Sequence, residues 1–270
     1  MDILRKSLAP ISDKAWKEIN ETSKDVLTSV LSARKFVDVE GPKGWDFAAL
    51  STGRIDVPEN QDGALEYGVH QVLPLVEVRI PFELNIWELD NVARGAEDID
   101  LDSLEEAARE IAKFEENAIF EGFKAANIKG LKSCNEYDTP AFPENGEDIP
   151  AAVANVLAQF KANSIEGPYS LVLSQEKWQK VNSVVKGYPM RKQLESLLGG
   201  SIIMAPNIDG AYIVSERGGD LKMVIGQDIS IGYKAHNSKT VQLYYTESFT
   251  FQIIEPAAVA VFSNKVTVPE

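Results

Sequence analysis

The stretch LPLVEVRIPFELNIWELDN, residues 73 to 91, constrains the fold more than any other part of this chain. From Val76 onward, Val78, Ile80, Phe82, Leu84 and Ile86 fall on one face of an extended strand, with Glu77, Arg79, Pro81, Glu83, Asn85 and Trp87 on the other. At about 3.3 Å per residue, Val76 to Trp87 spans roughly 40 Å, about twice the length of a typical strand. A compact domain rarely needs so long a strand, and an open edge of that length recruits other chains.

The flanking sequence supplies further elements. Ser12 or Asp13 is placed to cap a helix in which Trp16, Ile19, Val26, Leu27, Val30 and Leu31 recur at helical spacing, ending near Arg34. FAALSTGRIDV and LPLVEVRIPFELNIW then read as the two arms of a large hairpin around the turn-prone PENQDG, residues 58 to 63, with the long strand as the returning arm. Ser103 and Glu106 form a capping-box pattern that opens a helix to about Glu121. Gly130, Pro140, Pro143 and Gly146 mark a boundary, after which residues 135 to 222 alternate helix and strand as a compact α/β insertion. The tail, TVQLYYTESFTFQIIEPAAVAVF, is a second long strand whose apolar set is broken only by Glu247.

Composition excludes several kinds of function. The 41 acidic and 27 basic residues leave a net charge of -14, and no basic cluster offers a footprint for nucleic acid. Cys134 is the single cysteine, so no internal disulfide can form and a reducing cytoplasm is the expected setting. The N-terminus lacks the apolar core of a signal peptide, and no apolar run reaches the ~18 residues needed to span a bilayer, so neither secretion nor a membrane partner is expected.

His70, His236 and Cys134 are too scattered in sequence to predict a metal site. The acidic helix EEAAREIAKFEEN lacks the Glu-x-x-His of di-iron bundles, and its carboxylates read as a solvated face. Nucleophile-elbow, P-loop and dinucleotide glycine patterns do not occur, so no catalytic residue is assigned. Trp87, on the polar face of the long strand, needs a partner. Either it packs against another subunit or domain, or it is a platform for a planar ligand such as a flavin, with Tyr188 as the second wall.

LAPISDKAWKEI, ARKFVDVEGPKGW, LNIWELDN, IEGPYSLVLS and SERGGDLKMVIGQDISIGY, in this order and spacing, closely resemble the shell proteins of type 1 encapsulin nanocompartments, the linocin-like bacteriocin family. The likeness runs from about Leu8 to about Phe262. It implies an α+β fold of the Hong Kong 97 phage major capsid type. Residues 1–47 would hold the N-terminal helix and the start of a peripheral domain, 48–86 an extended hairpin loop, and 87–134 the rest of the peripheral domain with its spine helix. Residues 135–222 would form the axial domain, and 223–270 would return to the peripheral domain with an extended-loop strand. The long strand would then be covered by a neighbouring subunit.

The same resemblance implies a homo-oligomeric icosahedral shell of on the order of sixty copies that catalyses nothing itself. Its cargo would be a ferritin-like iron protein or a dye-decolourising peroxidase, docked through a C-terminal peptide. Carried onto this chain, the docking groove would involve Leu27, Leu31, Arg34, Asp38, Ile229 and Ile231, and a fivefold pore would lie around Lys186, Gly187 and Tyr188. No cofactor is required, although a flavin beside Trp87 is associated with some members. A phage-type capsid protein, or a flavin-binding shell with an accessory redox role, is the alternative. A hydrolase or secreted bacteriocin is disfavoured by the scarcity of histidine and the missing signal peptide.

Overall fold

The computed structural model describes residues 3–59, 64–134, 136–183 and 189–262. Helix α1, Asp13–Val30, begins where the Ser12 side chain accepts the Ala15 N–H, and it buries Ala15 and Ile19. It stops a turn earlier than the periodicity predicts. The N–H groups of Ser32 and Ala33 are taken by the Glu116 carboxylate, each at 2.8 Å, and a short 3₁₀ turn over Ala33–Lys35 comes next. Strand β1 is Asp38–Glu40.

The hairpin forms, but with different arms from those expected. Strands β2, Ala49–Asp56, and β3, Val69–Pro74, pair antiparallel from Ala49 opposite Pro74 to Asp56 opposite Val69. The alternating stretch that starts at Val76 is a separate strand, β4, Val76–Asn85. Between them the Leu75 N–H bonds to the Ala48 carbonyl, which turns the chain without disturbing the sequence period.

Strand β4 also ends sooner than its pattern suggests. The Asn85 side chain accepts the Trp87 N–H at 2.8 Å and so caps helix α2, Ile86–Arg94, which is closed by Gly95 with φ 100°. Trp87 therefore sits on a helix and not on a strand face. The spine helix α3, Asp102–Phe120, lacks the predicted capping box. Ser103 donates instead to the Glu83 carbonyl at 2.6 Å, which ties the start of α3 to β4.

Short strands β5, Gly122–Phe123, and β6, Ile128–Lys129, lead into helix α4, Ile149–Ala162, strand β7, Tyr169–Leu173, and helices α5, Gln175–Asn182, and α6, Met190–Leu198. Strands β8, Gly199–Met204, and β9, Ala211–Ser215, precede the long β10, Leu221–His236, and β11, Thr240–Ile253. The tail does not continue as one strand. Pro256 opens a 3₁₀ turn, and β12, Val259–Phe262, crosses to another sheet.

One sheet has the order β1-β10-β11-β4 and the other β12-β9-β7-β8. The last strand thus rejoins the elements found between 135 and 222, which corrects the assignment of everything after 223 to the first unit. Helices α4 and α6 cover the second sheet through Val153, Phe160 and Leu194. A shared core joins the two sheets, with Ile119, Phe120 and Phe249 meeting Val172, Tyr212 and Val214.

One edge and the apolar face of β4 are covered by its own chain. Strand β11 pairs along it from Asn85 opposite Thr240 to Val76 opposite Phe249. Phe82 and Leu84 lie against Leu104 and Ile111 of α3, and the Phe82 and Tyr245 rings sit 5.2 Å apart. The alternation does mark a half-buried surface, with the apolar face packed in the α1 and α3 core, while the outer edge of β4, at the end of its sheet, pairs with no strand among the described residues. The chain also leaves uncovered the β2–β3 hairpin, where Ile55, Val57, Val69 and Val72 are exposed.

Replacing Phe249 by Ala removes a fully buried ring that meets Phe114 edge-on at 6.2 Å, and should cost about 3–5 kcal/mol in chemical denaturation. Ile55→Ala, on the exposed hairpin, should leave subunit stability within about 0.5 kcal/mol.

Candidate functional site

A groove of about 530 Å³ runs between α1 and the middle of β10. One wall is the outer stripe of α1, where Leu27 comes four residues after Ser23 and Leu31 four residues after Leu27. The other wall exists because β10 is irregular, its register against β11 shifting between Ile225 and Gln227 and again between Gln227 and Ser230. The bulge is held locally. Asp228 accepts its neighbour's Ile229 N–H at 2.8 Å, and the Gln227 amide donates to Ser230 Oγ at 2.9 Å. Ile229 and Ile231 thereby line the groove opposite Leu27 and Leu31. At the floor, the Tyr245 hydroxyl donates to Ser23 Oγ at 2.7 Å.

Beneath this groove lies a cluster of buried charge. Arg34 reaches Glu115 through Nε and Nη2, Glu247 through Nη2 at 2.6 Å, and Asp228 through Nη1 at 2.8 Å. Glu115 and Glu247 are 0% exposed, as is Glu116, which holds the Ser32 hydroxyl in addition to the two backbone N–H groups. Burial opposes the Arg34 charge, but Glu115, Glu247 and Asp228 outweigh it, so the guanidinium is held cationic more firmly than usual. Burial, with Glu115 next to it, raises the Glu247 pKa well above its ordinary value, against the opposing pull of Arg34. Glu116 is pushed up to about 7 by burial, against the opposing pull of its bonds from Ala33 and Ser32.

These acids correct the expectation of a solvated acidic face. Glu115 and Glu116 come one helical turn after Ile111 and Ala112, so they fall on the core side of α3. That signal is readable in the sequence, as is Glu247 interrupting an apolar strand face. Neither signal names the partner that makes burial tolerable.

The groove residues expected from the family likeness separate into two groups. Leu27, Leu31, Arg34, Ile229 and Ile231 all line the groove. Asp38 does not; on β1, it accepts the Gly219 N–H at 2.6 Å. Arg34 also has little donor capacity to spare, since Nε and both terminal nitrogens already serve carboxylates of the chain. Trp87 is 67% exposed, with the Arg94 guanidinium 5.7 Å from its ring centroid. Lys186, Gly187 and Tyr188 lie outside the described residues.

His236 Nδ1 is 2.6 Å from the Tyr233 hydroxyl, and His70 lies on the exposed strand β3. Among the described residues, no group of three or more His, Cys, Asp and Glu side chains is arranged to hold a metal ion, and no helix is long and apolar enough to cross a membrane.

A family model described as an encapsulating protein for peroxidase matches residues 1–250. The type 1 encapsulin shell protein of Rhodospirillum rubrum is 40% identical over 266 residues, covering 96% of this chain and 95% of its own. That of Mycobacterium tuberculosis is 39% identical over 253 residues, covering 93% and 95%. Among solved structures, a virus-like particle from Pyrococcus furiosus superposes with a TM-score of 0.64 at 18% identity, covering 92% of this chain and 99% of its own. The capsid of phage XM1 gives 0.53 at 11% identity, covering 85% and 90%. The fold is that of the Hong Kong 97-type capsid proteins.

The Glu116 environment predicts a sign for pH dependence. Its folded pKa of about 7 exceeds the ordinary 4.5, so between these values the folded chain binds more protons than the unfolded one. Stability contributed by this group is complete below about 4.5 and is lost as pH rises through about 7, by about 3 kcal/mol. Glu116→Gln should reduce the slope of denaturation free energy against pH in that window, leaving the part due to Glu247. An unchanged slope would show that Glu116 keeps an ordinary pKa.

Proposed function

The chain belongs to the type 1 encapsulin shell protein family, and from that premise we propose that it closes into a cytoplasmic compartment of on the order of sixty copies, with a cargo enzyme held in the α1–β10 groove by its C-terminal peptide. The observation that carries the docking half is the groove itself. Its apolar walls come from two elements fixed by buried ion pairs, which suits an extended peptide inserting alternate small and apolar side chains.

The closing half rests on the hairpin. Leu65 and Tyr67 are exposed beside Ile55, Val57, Val69 and Val72, an apolar surface that the chain does not bury. A neighbouring copy covers it, and closed symmetry leaves no such surface free. Net charge does not prevent this. Sixty copies at -14 repel, but at physiological salt the repulsion is screened beyond about 8 Å, while apolar burial contributes about 25 cal/mol per Å². A ferritin-like iron protein or a dye-decolourising peroxidase fits as cargo, and the shell needs no catalytic residue of its own. The exposed Trp87 keeps a second reading in view, a flavin stacked on its ring with the other wall supplied by a neighbour. Visible absorbance of purified shells in the flavin bands decides it.

Two substitutions separate assembly from docking. Val69→Asp on the hairpin should replace uniform hollow particles in negative-stain images with dispersed subunits. Leu27→Asp in the groove should leave the particles intact and lower the yield of enclosed cargo by about tenfold or more, since a carboxylate replaces an apolar wall. Cargo retention by Leu27→Asp shells would move the docking site elsewhere.

A further inference from the structure

The groove's charge has a sign that the chain as a whole does not share. Four cationic side chains and one carboxylate line it, on a chain of net charge -14. Most of that charge is already used. Asp228, the single acidic lining residue, is paired with Arg34 and accepts the Ile229 N–H. Arg34 is committed to Glu115, Glu247 and Asp228. Lys6 lies over the Trp16 ring, 5.4 Å from its centroid.

Lys24, on α1, and Lys35, in the turn after it, remain. Both are exposed at the groove, and their side chains make no ion pair or hydrogen bond among the described residues. Their ammonium groups are the charge available to an occupant. An occupant bearing a carboxylate gains from both, whereas one bearing an ammonium meets a single lining carboxylate, Asp228, whose Oδ1 already serves Arg34 and the Ile229 N–H.

We propose that this groove selects an apolar peptide that carries a carboxylate, and that Lys24 and Lys35 are its specificity-determining residues. The inference rests on the groove being the docking site and adds the chemistry of what docks. The carboxylate is either an Asp or Glu side chain or the peptide's own terminus, because both present the same planar anion to a lysine. A short acidic tail is repelled by the shell at large and attracted locally, so the two lysines confer position as well as affinity.

The test uses intact shells and an unbiased probe. A reporter protein is fused to a pool of tails randomised over Ala, Gly, Ser, Leu, Ile, Asp, Asn and Lys, coproduced with the shell, and the enclosed tails are sequenced. A second pool extends each tail by a constant stretch of about ten Gly and Ser residues, moving the terminal carboxylate out of reach. Enclosed tails should be enriched in Leu and Ile and should favour Asp over Asn by about fivefold, with Lys depleted. If the terminus is the source, that preference appears instead as loss of capture on extension.

Lys24→Glu with Lys35→Glu should reverse the charge preference, and the milder pair Lys24→Gln with Lys35→Gln should flatten it, while apolar enrichment persists. Apolar tails with no preference for Asp and no dependence on a free terminus would overturn the proposal and leave the docking site standing. Tails without apolar enrichment, captured equally by Leu27→Asp shells, would overturn the docking site and this inference with it.

Discussion

The end of α1 is set by a carboxylate from another helix. Glu116 is fully buried and accepts the backbone N–H groups of Ser32 and Ala33, so the chain leaves helical geometry there. Close by, Arg34 gathers Glu115, Glu247 and Asp228 from α3, β11 and β10. Taking such groups out of water carries a penalty of several kcal/mol per ion, and replacing a buried ion pair with packed apolar residues is often neutral or stabilising. The cluster therefore contributes geometry more than net stability. It fixes where α1 stops and how far it stands from β10, which is the width of the groove.

The molecule divides its work between surfaces of opposite character. The groove is stiff, because its walls are held by buried charge and a bulge with its own internal bonds. The hairpin is an exposed two-stranded ribbon, and such ribbons are marginal in isolation. That contrast suits a shell subunit. An interface finished only by a neighbour can adjust as the lattice closes, whereas a peptide site must exist before its ligand arrives. The long alternating strand, whose length suggests an intersubunit element, packs its apolar face within the chain and leaves its outer edge open, and the shorter pair just before it is exposed as well.

Much of this was legible in the sequence, for reasons that also explain what was not. The faces of β4 were readable from Val76 to Leu84 because alternation reports burial directly. Its end was not, since Ile86 and Leu89 satisfy a helical period as well as Ile86 satisfies the strand period, and the decision falls to the Asn85 cap. Leu27 and Leu31 were readable as one stripe. Ile229 and Ile231 alternate, but the bulge that aims them at α1 is a property of the β10–β11 pairing and leaves no local mark. Glu115 and Glu116 occupied core positions of α3 in plain view, yet acidic residues on a helix usually face water. Only the partners, distant in sequence, make the exception tolerable.

The partition of charge comes from the same geometry. Because Arg34 spends Nε and Nη2 on Glu115 and Glu247 beneath the groove and one Nη1 donor on Asp228, it has little left with which to report the charge of what lies above. A cation so committed holds the walls in place and stays the same whatever occupies the site. Selection must then pass to side chains that can change partners at little cost, and exposed lysines on flexible stems have that freedom. The wall is set by buried charge bonded within the chain, and in the proposed docking the choice of occupant falls to exposed and uncommitted charge. With the walls already ordered, a peptide docked as proposed would lose mainly its own conformational freedom on binding, which would let a short segment with few side chains suffice.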